Sequence, residues 1–293
     1  MDYQAGEILY IDKPYRWTSF DVVNKVRWQL CRQLGVKKLK VGHAGTLDPL
    51  ATGVMIVCTG RATKRIDELQ AATKEYVATL RLGATTPSFD MEHPIDATYS
   101  TDHITRELVE SVLPQFLGRI EQVPPTYSAV KVDGKRAYDL ARKDKDVELK
   151  PKVLVIDEIE LVGYYEGAQQ PNPSMERRDK TDSNQAVSNT IPRGEVGGGP
   201  LGEGSLPRTG LRNKAFLTSP TAEDLGEEFP SVILRIVCSK GTDRRALARD
   251  IGQALGTGAY LTALRRTRIG DVRVEDCMTV EETLEKIKDS SLL

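Results

Sequence analysis

The chain is 293 residues long and 39% hydrophobic, enough for one large domain or two small ones with a buried core. No apolar run approaches the roughly 20 residues of a membrane helix, MDYQAGEILY lacks the basic-then-apolar order of a secretory leader, and Cys31, Cys58, Cys238 and Cys277 are spaced too widely for a zinc site or disulfide framework, so a cytoplasmic, metal-free protein with buried thiols is expected. A formal net charge of −1 argues against a uniformly basic surface for RNA, but the signs are segregated: Lys25, Arg27, Arg32, Lys37, Lys38 and Lys40 crowd an early segment, Lys240, Arg244, Arg245, Arg249, Arg265, Arg266 and Arg268 a late one, and acids gather near the end.

Residues 6–11 read as a short strand leading to Lys13-Pro14. Thr18 or Ser19 can cap a helix in which Val22, Val23, Val26, Leu30 and Leu34 follow helical spacing, leaving Lys25, Arg32 and Lys38 for solvent or a polyanion. Residues 41–64, VGHAGTLDPLATGVMIVCTGRATK, form the stretch around which the chain is organised, a glycine-punctuated polar loop running into an apolar strand. Gly42, Gly45 and Gly53 permit positive φ or close backbone approach, and Pro49 disfavours the helical region for Asp48. A carboxylate is thereby held on a stiff, extended turn beside His43 and Thr46, the setting in which reacting groups tend to sit. The same letters also describe an ordinary Asp-Pro turn, and a short motif is a hypothesis until its context is known.

Beyond the loop, 61–70 can form a short helix, and 74–83 alternates Tyr76, Ala78, Leu80 and Leu82 against Val77, Thr79 and Arg81, the mark of a strand with two different faces. Tyr76 then reads as a core aromatic whose hydroxyl finds a partner, and Asp90 either as a turn or loop cap or as a residue with a direct role. Residues 105–113 suit a helix. In 116–141, FLGRIEQVPPTYSAVKVDGKRAYDLA, Pro124-Pro125 excludes a central strand and Asp133-Gly134 signals a hairpin that carries Tyr127, Ser128, Lys131, Arg136 and Tyr138, aromatics and cations mixed as for stacking on bases and gripping phosphates. Residues 153–165 and 231–238 are apolar strands. Between them, 166–228 is rich in Gly, Pro, Ser and charge and poor in aromatics, and is expected to be a disordered insertion between strands that pair anyway. Residues 280–288 make a terminal helix.

Three stretches in one order carry a resemblance. GHAGTLDPLATGV with KPYRWTS upstream, KEYVATLRLGATTPSFD, and CSKGTDRRALARDIGQALGTGAYLTALRRTRIG together resemble the TruB family of tRNA pseudouridine synthases. The resemblance implies an α+β pseudouridine synthase fold, a mixed, mostly antiparallel sheet flanked by helices with an RNA-binding cleft. It further implies a single catalytic domain made of 1–165 and 229–293 and no C-terminal PUA domain. The implied activity is isomerisation of uridine 55 in the T-arm loop of tRNA, by a monomer without cofactor or metal. Asp48 takes the catalytic position, Tyr76 stacks on the flipped uracil, and Arg245 pairs with Asp48. His43 supports the loop, Lys13, Tyr127 and Lys131 bind substrate, and Leu264 packs by the base.

Two places depart from the family pattern. Arg16 stands where glycine is usual and is strained by about 1 kcal/mol if φ is positive there. Asp243 and Arg244 replace a tyrosine and an apolar residue. Asp243 would then compete for Arg245 and raise a carboxyl pKa by like-charge repulsion, and Arg244 would sit at a cost in a strand core. A tRNA-binding protein with little catalysis is therefore a rival reading. A phosphate loop at 42–48, or a glycosidase pair of Asp48 and Asp90, is a second rival, but the G-x-x-x-x-G-K-[ST] form is missing.

Overall fold

The computed structural model describes residues 2–124, 131–132, 135–136, 150–167 and 229–289. Strand β1 (Ile8–Lys13) leads to helix α1 (Ser19–Leu34), where Thr18 and Asp21 form a reciprocal capping box and Gly35, left-handed, ends the helix. Val22, Val23, Val26 and Leu30 of α1 are buried as their spacing predicts; Leu34, at the last turn, is 37% exposed. Strands β2 (Val41–His43) and β3 (Ala51–Thr59) flank the glycine-rich loop, and all nine residues of β3 are buried, which is why its sequence is continuously apolar. A 3₁₀ turn and the short helix α2 (Ile66–Ala71) precede β4 (Lys74–Leu82), whose Tyr76, Ala78, Leu80 and Leu82 face the core.

The small pair β5 (Ala84–Thr85) and β6 (Ala97–Thr98) comes next, followed by α3 (Arg106–Val112), capped by Thr105, and β7 (Gly118–Gln122). Strands β8 (Lys131–Val132) and β9 (Lys135–Arg136) pair as the hairpin expected around Asp133-Gly134. Strand β10 (Lys152–Tyr165) and β11 (Ser231–Cys238) pair antiparallel, and the register ends at Tyr165 opposite Ser231. The segment between them therefore leaves and rejoins the sheet at one place. The chain closes with α4 (Arg244–Ala254), β12 (Ala259–Ile269), β13 (Val272–Arg273) and α5 (Val280–Asp289).

Among the described residues, the main sheet has nine strands in the order β1-β3-β12-β4-β11-β10-β7, with β2 added to β3 and β13 to β12. Every pairing is antiparallel except β3 with β12, so the architecture is α+β with a mixed, mostly antiparallel sheet. One core packs Leu247, Ala248 and Ile251 of α4 against Ala78, Leu80, Leu234 and Leu264 of the sheet; another packs Val22, Val26 and Leu30 of α1 with Val280 and Ile287 of α5 against Ile11, Met55 and Val57. All the described residues lie in one unit of the chain, 1–168 with 222–293; a second, 169–221, lies outside them. Cys58 and Cys238 are buried thiols, while Cys31 and Cys277 are half-buried. Among the described residues no helix is long and apolar enough to cross a membrane.

Candidate active site

The loop carrying Asp48 is pinned from three directions. From the β1–α1 turn, the Arg16 amide donates to the carbonyl of Pro49 at 2.9 Å, and Lys13 Nζ donates to the carbonyls of Trp17 at 2.5 Å and Pro49 at 3.4 Å. From the first turn of α1, Ser19 Oγ accepts from the Leu47 amide at 2.8 Å and donates to the Leu47 carbonyl at 3.0 Å. From β12, Arg266 donates through Nε to the Val54 carbonyl at 2.7 Å and through Nη2 to the Gly45 carbonyl at 3.2 Å. Parallel pairing sets Arg266 opposite Gly53, whose φ is +107°. Arg16 has a φ of 64°, the left-handed value that makes glycine the economical residue there.

The Asp48 carboxylate emerges 38% exposed, with Oδ2 3.7 Å from Arg245 Nε. Arg245 is buried and reaches two further carboxylates, Asp243 Oδ2 at 3.4 Å and Asp90 Oδ2 at 3.6 Å. Burial alone would depress the guanidinium pKa; the three anions, Asp243 foremost, outweigh it and hold the pKa above its ordinary value. Among the described residues no group of metal-ligating side chains is placed to hold an ion, and the cation on which these acids converge is Arg245. Asp90 is itself fixed by Ser88 Oγ at 2.6 Å and the Glu92 amide at 2.9 Å, beside Phe89, whose positive φ of 57° is unusual for a bulky aromatic.

Asp243 and Arg244 correct the sequence-based expectation. Arg244 lies in no strand; it opens α4, and Asp243 is the helix N-cap, accepting from the amides of Arg245 at 3.0 Å and Ala246 at 3.4 Å. Asp243 does share Arg245 with Asp48, as expected; burial works to raise its carboxyl, but Arg245 and then Arg244 more than offset it, so its own pKa falls below the ordinary range. Arg244 lays its guanidinium over the Tyr76 ring, 4.5 Å from the centroid.

Tyr76 is 2% exposed and pairs across the sheet with Arg266, two residues along β12 from Leu264, which is buried between Ala51 of β3 and Ala78 of β4. His43 lies at the end of β2, its imidazole held below the ordinary pKa by burial and then by Arg266, so it is neutral at pH 7. Lys13 is fully buried; burial, with Arg266 adding to it and Asp48 opposing, brings its pKa down to about 8. Lys13 thus joins the β1–α1 turn, through the carbonyls of Pro14 and Trp17, to the Pro49 carbonyl of the loop. Lys131 lies on β8, and Tyr127 lies outside the described residues. Sequence reasoning missed Arg266 as the brace of the loop; for Asp90, which closes the motif that contains Tyr76, it left a cap and a direct role both open, and the structure sets its carboxylate 3.6 Å from Arg245.

Residues 32–176 match the family model described as TruB family pseudouridylate synthase (N terminal domain), and 245–293 match that of the tRNA pseudouridylate synthase B C-terminal domain. The latter span supplies β12, so in this fold it completes the middle of the sheet. The tRNA pseudouridine synthase B of Phocaeicola vulgatus is 55% identical over 96% of this chain and 93% of its own length, and that of Bacteroides thetaiotaomicron is 54% identical over 98% and 95%. Among solved structures, a chain of a Cbf5-Nop10-Gar1 complex shares the fold with a TM-score of 0.55 and 24% identity, over 97% of this chain. This chain spans about half of that one, 54% of its length.

Proposed function

This chain belongs to the TruB family of pseudouridylate synthases, and we propose that it isomerises uridine 55 in the T-arm loop of tRNA to pseudouridine, with Asp48, Tyr76 and Arg245 as catalytic residues. One observation carries the assignment: an Asp48 carboxylate on a triply pinned loop, 3.7 Å from a buried guanidinium, with Arg244 over the Tyr76 ring and acting electrostatically on both Tyr76 and Asp48. The uridine leaves the helical stack, because its glycosidic bond is out of reach within it. Uracil departs from the sugar with the electrons of the C–N bond, turns, and returns through carbon 5, which gives up its proton. Asp48 serves this exchange either as nucleophile at the anomeric carbon or as the group that forms a glycal. Arg245 aims and ionises Asp48. The Tyr76 ring receives the base, with Leu264 beside it.

The catalytic unit is 1–165 with 229–293, and 166–228 is an insertion carried by the β10–β11 pair. The enzyme acts as a cytoplasmic monomer without a cofactor. The test is Asp48→Asn assayed on unmodified tRNA whose uridines carry tritium at carbon 5. Tritium release is expected to be lost while tRNA affinity and thermal unfolding stay near those of the parent; continued turnover would remove Asp48 from its role. A second reading, tRNA binding without turnover, is favoured by the guanidinium that covers Tyr76. Absent turnover by the parent chain, regained in an Asp243→Tyr/Arg244→Ile double variant, would establish it.

A further inference from the structure

Three arginines surround Tyr76 and Asp48, and they are anchored very differently. Arg266, 1% exposed, is tied through Nε to the Val54 carbonyl of β3 and through Nη1 and Nη2 to the loop carbonyls of Thr46 and Gly45. Arg245 is enclosed by three carboxylates. Arg244 has, among the described residues, one hydrogen bond, from Nη1 to the carbonyl of Thr242, and its Nε is buried without a hydrogen-bond partner. A guanidinium carries five donors, and of these the Nε donor is left over inside the protein. What else holds it is the Tyr76 ring at 4.5 Å and the attraction of the Asp243 and Asp48 carboxylates. The ring in turn owes part of its near-complete burial to that guanidinium.

We propose that Arg244 is a displaceable cover on Tyr76, occupying the ring face against which the flipped uracil stacks, so that a base is admitted only when Arg244 swings off. This rests on the reading that Tyr76 is the platform for the base. The exchange suits the partner chemically. An RNA backbone arriving with the nucleotide offers phosphate oxygens to the donors that Arg244 now leaves unused, and an arginine–phosphate pair is strong and bidentate. Uncovering the ring and capturing the strand become one event. In the free protein the covered form dominates, and apparent affinity for the base falls by the fraction of molecules that are open. A cation–π contact in a partly desolvated place corresponds to an open fraction that weakens base binding roughly 5- to 30-fold.

The test isolates the base from the backbone. Two T-arm stem-loop RNAs are compared, one with uridine at the modified position and one with an abasic ribose there, and their dissociation constants are measured with the full-length chain in an Asp48→Asn background to suppress turnover. The readout is the ratio of the two affinities, in which backbone contacts cancel. Arg244→Ala is expected to raise the preference for uridine roughly 5- to 30-fold, because only the RNA that carries a base has to move Arg244 off the ring, which it keeps covered when the abasic RNA binds. Arg244→Lys, which keeps the charge but cannot lie flat on a ring, is expected to fall between the parent and Arg244→Ala. A ratio unchanged in Arg244→Ala, while Tyr76→Ala lowers it, overturns the cover and leaves the platform standing. A ratio that Tyr76→Ala does not move overturns both. A Lys variant equal to the parent assigns the effect to charge and likewise overturns the cover.

Discussion

Replacing Gly53 by alanine puts a methyl group where the chain has no room. An added Cβ would lie 2.8 Å from the Arg266 amide nitrogen and closer still to its carbonyl oxygen, both backbone atoms of the neighbouring parallel strand. A φ of +107° adds strain of about 1–2 kcal/mol for any L-residue, and pushing a central strand aside adds about 1–3 kcal/mol. The stiffer unfolded chain returns about 0.4–1 kcal/mol, leaving a loss of about 1–5 kcal/mol. For a domain of this size that is a fall in Tm of roughly 2–20 °C. Urea and thermal unfolding would measure it, with Gly35→Ala as the control. Gly35 also has positive φ, 63°, but nothing lies within 4 Å of its added methyl, so strain acts there without a clash. Equal losses in the two variants, or a Gly53→Ala loss below about 0.5 kcal/mol, would refute the close approach as the reason for this glycine. Because Arg266 braces the loop of Asp48, turnover should fall further than stability explains.

Arg16→Gly should have the opposite sign, raising the unfolding free energy by about 0.5–1 kcal/mol in urea titrations, because glycine relieves the left-handed backbone at φ 64° at some cost in unfolded-chain entropy. Asp243→Asn keeps a capping side chain at α4 and removes only the charge beside Arg245. Since the folded-state pKa of Asp243 lies below its unfolded value of about 3.9, the charge stabilises the fold fully at neutral pH and ceases to as acid protonates it. The Tm gap between parent and variant is therefore expected to be constant from pH 7 to about 5 and to close below about pH 4; a gap that widens in acid would contradict the assigned direction.

The parts of this molecule legible in its sequence are those written by local stereochemistry. Pro49 restricts the backbone next to Asp48 and the glycines around it permit positive φ, both without help from distant residues, and the Thr18–Asp21 capping box marks the start of α1 within four letters. The paired strands β10 and β11 announce themselves by apolar runs on either side of a segment with none. Arg266 is different. In LRRTR it looks like one more solvated cation, and only the parallel β3–β12 pairing, made across more than two hundred residues, turns it inward to hold Gly45 and Val54. Asp90 joins Asp48 only through Arg245, which belongs to a third part of the chain. The misplacement of Arg244 has a local cause that the letters do carry: an Asp ahead of an Arg-Arg-Ala-Leu-Ala run is an N-cap before good helix formers, a signal set aside in favour of the family's usual tyrosine.

The position of β12 has a consequence for how the protein comes into being. A ribosome releases β1, β3, β4, β10 and β11 first, and the strand that belongs between β3 and β4 follows only when most of the polypeptide is out. Until then the nascent molecule holds two hydrophobic strands with a gap between them, each offering an unsatisfied ladder to any neighbour. Maturation is thus a late insertion into a waiting slot, and the same stroke that closes the sheet delivers Arg266 beneath the loop of Asp48.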